Sequence, residues 1–251
     1  MDDQSEFART CIEEVRAQGR DPDLRAATAE WMRLSQPHHY SYHFEWLGRP
    51  VIQHPQDIVA IQQLIWQIRP DLVIETGVAR GGSLILSASI LELVALCGGP
   101  AGARGLGIDI DIRPHNRAAI EAHPLSPRID LLQGSSIDPA IVAEVKKRAE
   151  GAGRVLVFLD SNHTHEHVLE ELRAYAPLVT EGSYCVVFDT IIAEMPDDSY
   201  PDRPWTRKAN PRSAIAAFMA EPGVPKFEID SDMDARLLVT VAPGGFLRRV
   251  R

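Results

Sequence analysis

The chain has few cysteines, no long apolar run and no excess of positive charge, and each shortage removes a class of protein. Cys11, Cys97 and Cys185 are odd in number and scattered, so they form neither a disulfide framework nor the paired spacing of a zinc site. They read as structural thiols. No stretch of about eighteen apolar residues is present to span a bilayer. The N-terminal MDDQSEFARTCIEEVRAQGR is acidic and amphipathic, without the basic-then-apolar layout of a secretory leader. A cytoplasmic protein without membrane association is expected. The formal charge of −9 argues against a nucleic-acid surface, which needs Lys and Arg clustered on one face. The basic group at the end, Leu247-Arg-Arg-Val-Arg251, reads as a solvated end. Heptads, internal repeats and low-complexity tracts are also missing. What remains is a chain of 251 residues, 45% hydrophobic and 24% charged, long enough to bury one substantial core. Its expected ligand is a small molecule.

Residues 1–36 read as a helical arm, broken near Gly19 and the Asp21-Pro22 pair, where Asp caps a helix that Pro begins. The main domain is then 37–251. It opens on a ring-rich segment, Pro37 to Arg49, which is either a packed extension or a wall of the substrate pocket. Apolar residues at helical spacing follow from Asp57 to Ile68. Strands and helices then alternate, with strands at Leu72–Ile74, Gly105–Ile110, Ile129–Leu132, Val155–Leu159 and Ser183–Phe188. Strands apolar on both faces, in turn with helices, indicate an α/β fold with a doubly wound, mostly parallel sheet. The runs 226–230 and 237–241 are expected to form an antiparallel C-terminal edge pair.

Ligands of such sheets lie beyond the carboxyl ends of the strands. The first strand runs into Glu75-Thr-Gly-Val-Ala-Arg-Gly-Gly-Ser83, whose glycines suggest backbone lying close against a ligand. The second ends at Asp109, with Asp111 two positions on, and such an acid can accept the hydroxyl protons of a ribose. The third ends in Gln133-Gly-Ser-Ser136, small and polar, able to meet an adenine edge through Ser135 and Ser136. Together they suit an adenosyl ligand without phosphates. The fourth and fifth strands end at Asp160 and Asp189, two carboxylates placed to share a hard cation such as Mg²⁺. His163 is the candidate general base, because imidazole titrates near neutrality. His165 and His167 read as helix-face residues or local caps, since residues two apart on a helix face different sides.

The motifs Tyr42-His-Phe-Glu-Trp-Leu-Gly-Arg-Pro50, Ile74-Glu-Thr-Gly-Val-Ala-Arg-Gly-Gly-Ser-Leu84, Gly107-Ile-Asp-Ile-Asp-Ile-Arg-Pro-His-Asn-Arg117 and Leu159-Asp-Ser-Asn-His163 resemble the cephalosporin hydroxylase-like family, also called the rhamnosyl O-methyltransferase family. The resemblance runs from about Tyr40 to the end. It implies a Rossmann-like class I methyltransferase fold, S-adenosylmethionine as cofactor, and methyl transfer to a hydroxyl or amino group of a small molecule, such as a sugar unit of an antibiotic-type natural product. By the same resemblance the methionine end of the cofactor lies against Glu75, Thr76, Gly77, Arg80, Gly81 and Ser83. Asp109 and Asp111 fall at the ribose, Asp160 is the first metal carboxylate, and His163 stands where related enzymes carry their base. A homo-oligomer is the expected assembly.

One departure is visible: Phe188-Asp189 stands where the family usually reads Glu-Asp, which leaves Asp160 and Asp189 as the metal pair. A missing carboxylate favours an amine acceptor, which attacks without a metal once deprotonated. The acidic loop 193–202 is either a surface for a cationic acceptor or a solvated lid. Two other readings remain, a non-haem iron oxygenase, which needs a second histidine, and a non-catalytic adenosyl-binding subunit.

Overall fold

The computed structural model describes residues 2–250. Two helices come first, α1 (Asp3–Gln18) and α2 (Pro22–Ser35), parted at Gly19 to Asp21 as expected. Each starts where an aspartate carboxylate accepts backbone N–H groups, Asp2 from Ser5 and Asp21 from Asp23 and Leu24. The ring-rich segment forms two 3₁₀ turns and a hairpin of β1 (Phe44–Trp46) and β2 (Arg49–Val51).

The alternation follows: α3 (Pro55–Ile68), β3 (Leu72–Thr76), α4 (Gly82–Leu96), β4 (Arg104–Asp109), α5 (Pro114–Glu121), β5 (Ile129–Gln133), α6 (Pro139–Ala149), β6 (Val155–Leu159), α7 (His165–Tyr175), β7 (Tyr184–Val187), α8 (Pro211–Ala220), β8 (Phe227–Ile229), α9 (Ser231–Leu237) and β9 (Phe246–Arg249). The main sheet has the order β5-β4-β3-β6-β7-β9-β8, with β5 to β7 parallel and β9 antiparallel to both its neighbours. The chain builds outward from β3 to β5 and then restarts at β6 on the other side of β3. A crevice opens at that reversal, beyond the carboxyl ends of the strands. This is the doubly wound sheet that the sequence pattern indicated and the Rossmann-like fold that the family resemblance implied.

Strand residues alternate between two cores, as a pleated sheet covered on both faces requires. Val73, Leu156, Phe158 and Val186 face α3 and α4, whereas Ile74, Val157, Leu159 and Val187 face the side of α7 and α8. No helix among the described residues is long and apolar enough to cross a membrane.

The C-terminal edge differs from expectation. Residues 226–230 do contain a strand, but its partner is β9, and 237–241 is not a strand. There the chain is fastened sideways: the Asp57 carboxylate, wholly buried at the start of α3, accepts hydrogen bonds from the Thr240 hydroxyl and the Val241 N–H. β9 then inserts between β7 and β8, so Phe246 and Leu247 are buried and the tail read as a solvated end is a sheet strand as far as Arg249, with Arg248 exposed. Four residues, two apolar and two basic, are too few for periodicity to reveal a strand. Arg251 lies outside the described residues.

Burial raises the Asp57 carboxyl from its ordinary 3.8 to about 7, against the lowering effect of its Thr240 and Val241 hydrogen bonds. The folded chain therefore keeps this proton where the unfolded chain has lost it. The stabilising contribution is complete below about pH 4 and disappears as pH rises through about 7. Unfolding free energies from urea titrations at pH 4 to 8 should fall less steeply for Asp57→Asn than for the native chain, by about 1.4 kcal/mol per pH unit within that window. Parallel curves would contradict the assignment.

Candidate functional site

The loop after β3 is held by the protein from every side. Asp109, ending β4, accepts from the Val78 and Ala79 N–H groups (2.9 and 3.1 Å) and from the Asp111 N–H (3.0 Å). The Asn116 amide donates to the Ala79 carbonyl, and the Arg49 guanidinium donates to the Arg80 carbonyl at 2.6 and 3.1 Å. The glycines also serve the protein itself. A Cβ on Gly77 would collide with the Asp160 carbonyl, and one on Gly81 would meet the Ile120 side chain at 2.5 Å. Both have positive φ, 92° and 84°. These close approaches let β3 and α4 pack against β6 and α5, and Gly77 also lines the cavity described below.

Glu75 is 2% exposed; its Oε1 accepts from the Ser83 hydroxyl and its Oε2 has no partner. Burial pushes its pKa up to about 7, with the Ser83 hydrogen bond acting the other way. Thr76 is buried, and its carbonyl accepts from the Asp160 N–H at 3.0 Å.

Register places the ends of β3, β6 and β7 side by side, Thr76 opposite Leu159 and Leu159 opposite Val187. Asp160, His163 and Asp189 gather there, each offering one ligand atom within 4.8 Å of the other two. His163 Nε2 lies 3.3 Å from Asp189 Oδ2. Gln53 donates to Asp160 Oδ2 at 2.9 Å. The Asp160 carboxyl is raised well above the usual carboxylate range by burial, then by the charges of Asp189 and Glu75. Among the described residues no Lys or Arg pairs with Glu75, Asp160 or Asp189. An uncompensated carboxylate cluster with nitrogen and oxygen donors in reach fits a divalent cation. His163 brings a ring nitrogen into the same reach, beside the base's role that the sequence assigns to it.

A cavity of about 650 Å³ opens over this cluster. Gly77, Arg80, Ser83, Asp160, His163 and Asp189 line it, together with His39, Tyr40 and Tyr42 from the ring-rich segment and Tyr200, Asp202 and Trp205 from the loop after β7. Asp109, Asp111, Ser135 and Ser136 lie outside that lining, toward β4 and β5. Asp111 is exposed beside Arg113, and the Ser136 hydroxyl pairs with His167 Nε2 at 3.0 Å. His165 pairs with the Ser213 hydroxyl, so both of these histidines are engaged locally. Asp197 and Asp198 of the acidic loop are exposed and outside the cavity lining.

Gln53, His54 and Trp205 were missed. Gln53 and His54 sit just before the Pro that opens α3, where no periodicity or motif marks them.

The family model described as Rhamnosyl O-methyltransferase/CmcI matches residues 38–250. The chain belongs to this family. It is 30% identical over 206 residues to a rhamnosyl O-methyltransferase of Mycobacterium leprae, covering 81% of this chain and 82% of the relative. A Mycobacterium tuberculosis protein of the same name is 29% identical over 195 residues, 77% of this chain and 73% of its own length. A CmcI structure described as Mg-SAM superposes with a TM-score of 0.54 at 21% identity, covering 84% of this chain and 78% of that one. The mycinamycin-pathway methyltransferase MycE, solved with Mg and SAH, gives 0.51 at 18%, covering 93% and 56%.

The departure at Phe188 has a structural cause. Its ring is 2% exposed in the core under α3, edge-on to Phe158 with centroids 6.1 Å apart, whereas Asp189 turns out at φ 55° to meet His163. The position therefore does not present a side chain to the cation cluster, and a glutamate there would not become a ligand. Phe188→Glu should destabilise the fold by about 3 kcal/mol or more, through a charge buried without a partner. Calorimetry should detect no gain in Mg²⁺ affinity; tighter binding would show that residue 188 reaches the cluster.

Proposed function

We propose that the protein transfers a methyl group from S-adenosylmethionine to a hydroxyl of a small molecule, a sugar unit of a natural product. The observation that carries this reading is the convergence of Asp160, His163 and Asp189 in one cavity with the loop from Gly77 to Ser83. The names of the similar proteins, rhamnosyl O-methyltransferase and the Mg-SAM form of CmcI, support it. Glu75 and the loop to Ser83 would receive the methionine end of S-adenosylmethionine, whose positive charge suits the unpartnered Glu75 Oε2. Asp109, Asp111, Ser135 and Ser136 would lie along the adenosyl end.

S-adenosylmethionine supplies the electrophilic methyl group, and a divalent cation at Asp160 and Asp189 supplies the positive charge that acidifies a hydroxyl beside it. The protein's part is alignment and proton removal. His163 takes the acceptor's proton, and Asp189, 3.3 Å from its Nε2, stabilises the imidazolium that results. Gln53 fixes the orientation of Asp160 through its 2.9 Å hydrogen bond. Trp205 stands edge-on to His163 with centroids 4.8 Å apart and shields it from water. Positioning of this kind supplies much of the rate of an in-line displacement. A hydroxyl acceptor suits this arrangement better than an amine, because a metal cluster and an adjacent base are what a weak nucleophile needs.

Calorimetry should detect S-adenosylmethionine binding, and methyl transfer to rhamnosides should collapse in EDTA and return with Mg²⁺. His163→Ala should lower turnover by about 10²- to 10⁴-fold while Mg²⁺ and cofactor affinities hold. A matching loss of Mg²⁺ affinity would instead make His163 a ligand. No binding of S-adenosylmethionine would remove the reading altogether.

A further inference from the structure

Three polar atoms on side chains that line the cavity have no hydrogen-bond partner: Gln53 Oε1, His54 Nδ1 and Trp205 Nε1. Each such atom, buried unpaired, costs about 1–3 kcal/mol, and finding three around one cavity points to a ligand that pairs with them. None is a loosely held surface group. Gln53 is 3% exposed and anchored through its other amide atom to Asp160. His54 is 6% exposed, with the Trp31 and Tyr40 rings 5.8 and 5.6 Å from its own. Trp205 is fixed against His163 and under the Arg203 guanidinium, 5.3 Å from its ring.

The chemistry of the three atoms narrows the ligand. An amide oxygen only accepts, an indole N–H only donates, and the ring nitrogen of a neutral imidazole does either. Burial lowers the pKa of His54, with the charge of Asp189 opposing, which favours the neutral ring. A hydroxyl both donates and accepts and so satisfies all three. An ammonium only donates and leaves the indole unpaired; a carboxylate only accepts and leaves the amide oxygen unpaired. The Tyr40 and Trp205 rings supply apolar faces on the same lining.

We propose that Gln53, His54 and Trp205 form an acceptor-recognition subsite that reads the hydroxyls of a neutral polyol ring which do not receive the methyl group. The inference rests on the methyl-transfer reading for its sense, but its test does not depend on turnover. His54 is the specificity-determining member, because Gln53 also orients Asp160 and Trp205 also covers His163.

The experiment is a saturation-transfer NMR titration of the native protein with methyl α-L-rhamnopyranoside, without cofactor, beside S-adenosylmethionine calorimetry. His54→Phe keeps a ring between Trp31 and Tyr40 but removes the nitrogen. It should weaken glycoside binding at least tenfold and leave cofactor affinity within about twofold. His54→Asn, which restores a polar atom, should recover part of that loss, as a merely structural role would not. Trp205→Phe, which keeps the ring over His163 and loses only the N–H, should also weaken the glycoside, and it serves if His54→Phe fails to fold. Glycoside binding unchanged in both His54→Phe and Trp205→Phe overturns the subsite. A native protein that binds S-adenosylmethionine but not the glycoside overturns the polyol assignment alone. One that binds the glycoside but not S-adenosylmethionine supports the subsite and overturns methyl transfer.

Discussion

Parallel pairing in register forces the ends of β3, β6 and β7 together, and three carboxylates, Glu75, Asp160 and Asp189, ride on those ends. Their burial in a partly dehydrated crevice, with the charges of Asp189 and Glu75 bearing on Asp160, is the constraint to which the rest of the site answers. Glu75 and Asp160 are both driven toward the protonated form by burial, and the Asp189 charge adds to the pressure on Asp160. Protons or bound positive charge must relieve it. On the proposed function the sulfonium of the cofactor and a divalent cation would bring that positive charge to the strand ends.

The loop over the crevice is rigid for a related reason. Its N–H groups at Val78 and Ala79 point inward to Asp109, while its carbonyls at Ala79 and Arg80 are taken by Asn116 and Arg49. Three residues distant in sequence, Arg49, Asp109 and Asn116, thus fix one turn. Little reorganisation remains when a ligand arrives, and preorganised dipoles are more effective than ones that must be aligned at the moment of reaction.

Much of this was legible in the sequence because strand ends in a doubly wound sheet point at the ligand. Asp160, His163 and Asp189 could be named from their distance past an apolar run, and the structure gathers all three. Side-chain direction was not legible. Phe188 precedes Asp189 by one residue, yet pleat and a left-handed turn send one into the core and the other into the cavity. Asp109 follows its strand as expected, but its oxygens meet backbone amides, a pairing no linear pattern encodes. Gln53 and His54 escaped because their partners lie far along the chain or in separate loops. β9 escaped because its Phe246 and Leu247 gain meaning only from the neighbours on either side.

Met32 of α2 packs with Ile191 and Met195 of the loop after β7, and Gln36 donates to the Ser199 carbonyl at 2.9 Å. The outer wall of the cavity is thus a joint between chain that precedes the sheet and chain that interrupts it late. Neither piece supplies a strand. Such a wall is free to diverge: an insertion in the loop or a shift of the helix re-shapes the mouth while the register that gathers the three acids is untouched. Descendants of one such scaffold can therefore trade one acceptor for another without re-inventing the chemistry beneath.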